Sequence, residues 1–545
     1  MNPLATHKSN SVFLFAVVQN VLTASFVIAL SLLLSGLSYA QSGPGTELQA
    51  VRAALVEKTD IRDELLDLAV EPVGSSKSLR NSELETDLVV PLNMRGSNGQ
   101  ITLGRGQEDK EGEYKPWRLH DVLQEAGVPD WLRVSGSIRL RYEGIDGQFR
   151  SASRLDDTDH VFVMRTLLQV QADFDPVLIT LELMDSRQYG GDNGSAIGTS
   201  SVNAVELLQA SATFRLGQLG GGKHQLRLGR QTFNLGSRRL VARNRFRNTI
   251  NAFTGAHWEW KTKEFKLTSF YTLPVRRLPG DLNSLVDNEL EFDEENFNTQ
   301  FFGVHFEHDL FERHHFEAYF FGLLEDASGS RHRDIFTAGS RFLLPKMKGQ
   351  FDYGIEGAYQ FGESRLSGSG PDLDHSAWFV HAHIGYTFDA AWSPRVRVAF
   401  DYASGDDNPN DGDNNRFETL FGARRFEYGP TGIYGAVARF NLLSPELRLE
   451  LKPQSNMSLM FAWRPVWVAS DRDAWTAARV QDPTGSSGSF VGNQFETRWR
   501  WDIMPKSVRI EAGIAYLAHG EFQEDASGGQ NTDTVYGYVQ VAWTF

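Results

Sequence analysis

Arginine side chains recur at alternate positions of several apolar segments, and this pattern has the clearest chemical use. In the segment from Leu132 to Tyr142, Arg139 and Arg141 alternate with apolar side chains. Arginine stays charged and presents a planar fork that pairs with a carboxylate through two hydrogen bonds. Several such groups along one conduit would attract an anion and pass it on. The candidate anion-binding, pore-lining residues are Arg139, Arg141, Arg165, Arg215, Arg227, Arg230, Arg424, Arg425, Arg498 and Arg500.

The same arginines have a structural alternative. Arginines inside a protein wall can pair with acidic side chains, and Glu143, Glu182 and Glu206 are suitable partners. A denser basic turn contains Arg238, Arg239, Arg243, Arg245 and Arg247. For each arginine, the sequence leaves both anion binding and bracing of the wall open.

Histidine and serine do not form a recognisable catalytic or zinc motif. His305, His308, His314 and His315 lie close together in sequence, but their spacing matches no HExxH-type site. No serine stands in a Gly-x-Ser-x-Gly elbow. The chain has no cysteine, which excludes disulfides, thiol nucleophiles and Cys-ligated metals. We therefore expect no catalytic residue and no enzymatic activity.

The acidic run from Gly405 to Asn415 resembles a calcium loop at first sight. Pro409 occupies the position where the next ligand should follow Asp407, so an EF-hand loop is excluded. We expect no cofactor, and the one metal considered is an adventitious Ca²⁺ on loop 405–415. Its ligands would be Asp406, Asp407, Asp411 and Asp413.

Alternation with a period of two places the arginines on β-strands. The segment from Phe162 to Phe174, which contains Arg165, and the last eleven residues from Val535 to Phe545 both show it. An arginine facing lipid at mid-membrane would cost about 2–4 kcal/mol, a large part of a typical stability of about 5–15 kcal/mol. The apolar faces should therefore contact lipid while the arginines line the interior of a barrel. A soluble sheet explains one such strand but not their repetition.

The composition is compatible with a membrane barrel and excludes other classes. The 545 residues have a mean hydropathy of −0.35 and a formal net charge of −15. A helical membrane protein of this polarity is implausible, whereas a barrel strand needs an apolar residue only at every second position. The negative net charge argues against nucleic-acid binding.

The amino terminus predicts export from the cytoplasm. An apolar run from Val21 to Leu37 precedes Ser38-Tyr39-Ala40, which fits a small-x-small cleavage site. We interpret residues 1–40 as a secretory signal peptide, with a transmembrane anchor as the alternative. Residues 41–130 should form a small, partly helical N-terminal periplasmic extension, with an amphipathic helix from Leu48 to about Val70 and another across 117–126.

Residues 131–545 should form a transmembrane antiparallel β-barrel, so the fold is predicted to be all-β. Strands of about 10 residues, joined alternately by short turns and longer loops, give roughly 16–20 strands in this length, and we predict about 18. The predicted external loops are Asp185 to Asn203, Leu278 to Asn298, Glu363 to Asp374, Gly405 to Glu427, Ser470 to Gly488 and Glu521 to Thr532.

Several of these segments resemble the bacterial alginate-export outer-membrane barrels. Leu226 to Gln231 (LRLGRQ), followed by Gly236 to Val241 (GSRRLV), is similar to that family's strand-and-turn signature. Pro129 to Glu143 and Gly405 to Tyr428 are weaker likenesses, as is the closing strand. Phe253-Thr254-Gly255 departs from the Phe-Asp-Gly of many members. The likeness begins at about residue 129, so it does not include the extension.

The resemblance implies an anion-selective pore that passes an alginate-like polysaccharide across the outer membrane of a Gram-negative bacterium. The implied partners are outer-membrane lipid and lipopolysaccharide, the anionic polysaccharide or a small anionic solute, and periplasmic export components. We expect a monomeric barrel and no nucleic acid. Two alternatives stay open: a general or specific porin for small anionic or aromatic solutes, and a barrel that mainly binds partners or acts as an outer-membrane enzyme.

Overall fold

Eighteen antiparallel strands form one closed barrel in the computed structural model, which describes residues 118–326, 332–365 and 370–545. Each of the eighteen pairs with its neighbour along the chain, and the first pairs with the last. A further two-residue strand, Asp413–Asn414, lies parallel to residues 374–375 and is not part of the barrel wall. The predicted all-β barrel of about 18 strands is therefore confirmed. The strands are β1 (Leu132–Asp146), β2 (Thr158–Asp173), β3 (Val177–Tyr189), β4 (Asn203–Leu219), β5 (Gly222–Gln231), β6 (Phe253–Lys261), β7 (Phe265–Pro274), β8 (Thr299–Leu310), β9 (His314–Asp326), β10 (His332–Leu344), β11 (Gln350–Arg365), β12 (Leu373–Thr387), β13 (Arg395–Ala403), β14 (Leu442–Gln454), β15 (Met457–Trp467), β16 (Phe490–Met504), β17 (Val508–His519) and β18 (Thr534–Thr544).

The carboxyl-terminal strand closes the barrel, as its alternation predicts. β18 lies antiparallel to β1 on one side and to β17 on the other. Beyond β18, Phe545 exchanges two backbone hydrogen bonds with Gly136, of 2.9 and 3.0 Å. A Cβ atom at Gly136 would lie 2.7 Å from the Phe545 ring, so this closure requires glycine at position 136.

The two faces of the wall differ in the way that the alternation predicts. Leu228, Val304 and Val398 point outward and are 41–52% exposed. Arg397 and Glu446, on β13 and β14, are buried and pair across the two strands at 2.5 Å. Exposed apolar rows on the outside of a barrel fit a lipid environment, whereas paired charges fit the interior.

The two rims of the barrel carry connections of different length. One rim has short turns, such as residues 220–221 between β4 and β5, and the first and last strands begin and end there. The opposite rim has long loops, such as 147–157, 275–298 and 468–489. In outer-membrane barrels the short turns are periplasmic and the long loops are extracellular. We name the rims accordingly.

Two of the long connections fold into the barrel interior. We call them inner loop A (residues 232–252, between β5 and β6) and inner loop B (residues 404–441, between β13 and β14). They are joined by backbone hydrogen bonds, one of them from Phe421 N–H to the Leu240 carbonyl at 2.9 Å. The Phe421 ring also packs against Phe253 of β6, with centroids 5.1 Å apart. The interior therefore holds a packed core as well as polar side chains.

The helices of the described chain are short. None of them is long and apolar enough to cross a membrane. The first confirms the helix predicted across 117–126. The predicted signal peptide and the predicted extension before residue 118 lie outside the described residues. The helices are α1 (Leu119–Glu125), α2 (Leu282–Val286), α3 (Arg425–Tyr428) and α4 (Glu521–Asp525), and one 3₁₀ turn spans Phe311–Arg313.

Candidate functional site

Three of the predicted arginines on the wall hold inner loop A in place. Arg139 donates to the carbonyl oxygens of Arg245 (2.7 Å) and Arg247 (3.0 Å). Arg165 donates to the same two carbonyls, at 2.8 and 3.0 Å, and Arg141 donates to the carbonyl between them at 2.7 Å. All three side chains are buried. They face the interior, as predicted, and besides these carbonyls Arg139 donates to the Asn248 side-chain oxygen at 3.0 Å. Arg141 also pairs with Glu143 at 2.6 Å, so its charge braces the wall as the alternative interpretation expected.

Inner loop B is held by a buried carboxylate at its short helix α3. Glu427 accepts hydrogen bonds from Arg239 of inner loop A and from Arg439 of inner loop B. Arg448 of β14 donates to the Glu427 carbonyl oxygen at 3.0 Å. Arg239 continues to Glu356 of β11, at 2.5 Å. Glu427 thus connects both inner loops to the wall.

Three more of the predicted arginines take part in interior charge networks. Arg425 of α3 pairs with Glu496 of β16 at 2.6 Å, which fixes inner loop B to a further part of the wall. Arg500 pairs with Glu511 of β17 at 2.5 Å. Arg498 lies two residues before Arg500, on the same face of β16.

Two of the predicted arginines lie in the half of the wall nearer the periplasmic rim. Arg215 pairs there with Asp173 at 2.7 Å. Arg227, on β5, donates to the Thr213 hydroxyl at 3.2 Å.

Arg230 lies at the outer end of β5, on the same strand face as the lipid-facing Leu228. It pairs with Glu206 and Glu295, both at 2.5 Å. Its guanidinium group is therefore on the outer side of the rim and is neutralised twice. The prediction that Arg230 lines the pore is therefore wrong, because its strand face points outward. Conduction by the other nine predicted arginines remains a prediction.

Five arginines from five different loops approach one another without an acidic partner. Within the described ranges, no carboxylate oxygen lies within 4.0 Å of their guanidinium nitrogens. Of the ten predicted arginines, only Arg424 belongs to this set. We call it the arginine cluster, and its members are Arg150, Arg247, Arg277, Arg424 and Arg479.

Neutral oxygen atoms hold three members of the arginine cluster. Arg150 donates to the Ile433 carbonyl at 2.8 Å. Arg247 and Arg277 both donate to the Asn251 side-chain oxygen, at 2.5 and 3.0 Å. These contacts orient the guanidinium groups without an ion pair. At Arg277 the charge of Asp293 raises the pKa against the larger lowering by burial.

The electrostatics of the arginine cluster confirm that its charges are close. Burial, followed by the positive charges of Arg424 and Arg479, lowers the pKa of Arg150 to about 9. Burial, followed by the charges of Arg277 and Arg424, holds the pKa of Arg247 well below its usual value. The pKa of Arg424 falls to about 10 through burial and then through the charge of Arg439. A bound anion would relieve this repulsion.

Sequence reasoning missed most of the arginine cluster because its members lie in loops. Arg150, Arg277 and Arg479 belong to no alternating segment, so period-two analysis gave no signal for them. Arg247 was noted only as part of a dense basic turn. That turn was the one usable signal, since inner loop A has no acidic residue between positions 232 and 252.

One set of side chains has the spacing of a metal site but the wrong surroundings. His381, Asp401 and Glu427 bring ligand atoms within 4.8 Å of one another. Arg464 pairs with Asp401 at 3.0 Å, and Arg239 pairs with Glu427. These carboxylates already neutralise guanidinium groups, and the remaining positive charge opposes a cation. The set therefore braces inner loop B.

The predicted histidine cluster is divided in the structure. His305 and His315 flank Glu317, at 3.6 and 3.2 Å. His314 instead contacts the Tyr353 hydroxyl at 2.9 Å. These histidines therefore belong to local networks of the wall. The adventitious calcium on loop 405–415 remains a prediction.

Comparison with known proteins gives a family match and a set of similar folds. A family model described as "Alginate export" matches residues 130–536, about three quarters of the chain. No curated protein matches the sequence. The family match covers the barrel from just before β1 into β18.

Solved structures with a similar fold include an outer-membrane protein and a porin. OpdK of Pseudomonas aeruginosa matches with a TM-score of 0.51 and 10% identity, covering 76% of this chain and 98% of that chain. OccAB3 of Acinetobacter baumannii gives 0.50 and 10%, covering 76% and 99%. A BenF-like porin of Pseudomonas fluorescens Pf-5 gives 0.50 and 10%, covering 77% and 100%. At this identity the likeness shows the fold alone.

Proposed function

The chain belongs to the alginate-export family, and from that premise we propose that its arginine cluster makes it an anion-selective channel for an alginate-like polysaccharide or its fragments. The observation that carries the proposal is the convergence of five guanidinium groups without a carboxylate partner. The family and the barrel indicate an outer-membrane porin of a Gram-negative bacterium. The family's function is transport rather than catalysis.

A polyuronate suits the arginine cluster because each of its sugars carries a carboxylate. Arginines with uncompensated charge can accept such a carboxylate without first breaking an ion pair. The inner wall arginines, in contrast, would have to give up loop carbonyls or acidic partners. Several adjacent cationic sites raise the local concentration of the anion, and exchange between them lets it leave again.

A second candidate solute is a small anionic or aromatic acid. The two inner loops favour it, because they are joined at Phe421 and cross the interior to walls as distant as β1 and β11. They leave less free cross-section than an empty barrel of this strand number. The same arginine cluster would then select the carboxylate of the small solute. In both cases we propose a monomeric barrel, with periplasmic export components as partners if the polysaccharide is the cargo.

Arg424 offers the cleanest test, because the described structure gives its side chain no hydrogen bond or ion pair. We propose to reconstitute wild type, Arg424→Gln and Arg424→Glu in planar bilayers and to measure the reversal potential in a KCl gradient. Wild type should prefer anions. The anion selectivity of Arg424→Gln should be lower than that of wild type, and the anion selectivity of Arg424→Glu should be lower than that of Arg424→Gln. Uronate oligomers should block the wild-type current. A charge-assisted hydrogen bond is worth about 1.5 kcal/mol, so Arg424→Gln should weaken block roughly tenfold.

Arg187→Ala is the matched control. Arg187 lies on the outward face of β3, next to Asp185 at 2.9 Å, so the control removes the same charge without changing the interior. A cation-selective wild type, or equal selectivity in wild type and Arg424→Glu, would refute the proposal. Block by small aromatic carboxylates but not by uronate oligomers would favour the second solute.

A further inference from the structure

An acidic segment of the loop between β7 and β8 lies against the outer side of the barrel rim. We call residues 287–298 the acidic strap. Glu295 of the strap pairs with the outward Arg230 at 2.5 Å and accepts a hydrogen bond from the Thr254 hydroxyl at 2.9 Å. Thr254 is the register partner of Arg230 on β6, so both lie on the outward face. The strap is thus held over the external ends of two adjacent strands.

Its backbone is also fixed to β7. Arg276, just beyond β7, exchanges two backbone hydrogen bonds with Glu294, of 2.7 and 3.1 Å. Asp293 accepts from the Leu278 backbone N–H at 2.9 Å and from the Asn203 side chain at 2.8 Å. The strap therefore has a defined position on the wall.

Three large apolar side chains of the acidic strap are exposed. Leu290 is 53% exposed, Phe292 is 63% exposed and Phe297 is 70% exposed. So many exposed apolar groups within eight residues mark an interaction surface on an ordinary protein. Their exposure is the feature that needs an explanation.

The exposed apolar side chains of the acidic strap extend the lipid-facing surface of the barrel beyond the external ends of the strands. Gln300 donates to the Phe297 carbonyl at 2.9 Å and accepts from the Tyr271 hydroxyl at 2.7 Å. Tyr271 stacks with Phe302 on the outward face, with centroids 6.5 Å apart. Phe297 therefore lies directly above the last aromatic pair of the lipid-facing wall, where the acyl chains meet the head groups.

We propose that the acidic strap inserts Leu290, Phe292 and Phe297 into the outer leaflet of the membrane, and that Arg230 positions it for this contact. The occupant of the apolar surface is lipid, because the surface is continuous with the wall that lipid already covers. The neighbouring exposed carboxylates, Glu289 and Glu291, stay in the aqueous head-group layer. The attraction is thus apolar rather than electrostatic. The inference holds whichever solute the channel carries.

The absence of cysteine makes a direct test possible. Single-cysteine variants Phe292→Cys and Phe297→Cys are labelled with an environment-sensitive fluorophore and reconstituted in phosphatidylcholine vesicles and in vesicles containing lipopolysaccharide and Mg²⁺. Quenching by a spin-labelled lipid and by aqueous iodide is then compared. Val304→Cys, on the lipid-facing wall, and Thr532→Cys, on an exposed loop, are the two reference positions.

Labels at 292 and 297 should be quenched by the lipid probe and should be severalfold less accessible to iodide than the label at 532. Adding Arg230→Ala should raise iodide access at 297, while Arg187→Ala should leave it unchanged. Iodide access equal to that at 532, without lipid quenching, would overturn the proposal. So would a disulfide between the 297 positions of two chains, which would identify a second copy as the occupant. Unfolded variants are recognised by loss of the heat-dependent gel mobility of the barrel.

Discussion

Replacing Glu427 with Gln should undock inner loop B and make the channel switch to a higher conductance. Glu427 is buried and holds Arg239 and Arg439, one from each inner loop. The substitution removes the charge that both guanidinium groups face while leaving them in place. Because both arginine side chains are buried in the docked loop, the docked state should lose stability.

The size of the effect follows from the cost of breaking a buried ion pair. Removing one partner costs about 3–5 kcal/mol. A glutamine still accepts one hydrogen bond, so we take the lower end, about 3 kcal/mol, which raises the undocked population roughly a hundredfold. The barrel wall keeps its strand pairing, so the change should appear as loop motion and not as unfolding.

Single-channel recording measures this directly. Glu427→Gln should show frequent transitions to a larger unitary current, together with faster tryptic cleavage within residues 404–441. Glu450→Gln is the matched control, because Glu450 pairs with Arg395 and Lys346 near the periplasmic rim and touches neither inner loop. Identical traces and cleavage rates for wild type, Glu427→Gln and Glu450→Gln would refute the view that this carboxylate holds the loops.

Two further predictions concern other loop contacts. Burial and, to a smaller extent, the charge of Glu206 raise the pKa of Asp293 to about 6, so the docked strap binds a proton more tightly than the undocked one. Docking of the strap should therefore strengthen as pH falls from about 7 to about 4, by at most about 3 kcal/mol, and iodide access at a label on 297 should fall with it. In Asp293→Asn that access should no longer depend on pH, and a dependence that persists would exclude Asp293 as its source. Gly432→Ala should loosen inner loop B by about 2 kcal/mol, because φ at Gly432 is +70° and its Cβ would meet the Glu143 carboxylate. Open-channel current noise should rise in this variant but not in Gly412→Ala, where a Cβ meets no atom within 4 Å, and equal noise in both would contradict the reasoning.

The wall of the barrel was predictable because one physical rule governs every strand. Lipid on one side and a polar interior on the other force the period-two alternation, which located β1, β2 and β18 to within a few residues. Acidic and glycine-rich runs cannot cross lipid, which located the connections between strands. Gly405 to Glu427 was predicted to be an external loop, however, and instead belongs to inner loop B in the barrel interior. The direction in which a loop folds follows from neither rule. Inner loops A and B were therefore missed as interior elements.

The inner loops determine which arginines hold the wall and the loops together and which arginines have no ion pair. Arg139 and Arg424 were both predicted to line the pore, yet Arg139 is occupied by carbonyls of inner loop A while Arg424 has a burial-lowered pKa and another arginine as its neighbour. Period-two alternation identifies the side of a strand on which an arginine lies, but it does not identify the group that the arginine contacts. A loop that folds inward brings carbonyl and carboxylate oxygens that bind the wall arginines. It also carries its own arginines into the barrel interior. In this barrel the uncompensated positive charge therefore belongs to the loops, and selectivity should follow substitutions there rather than on the strands.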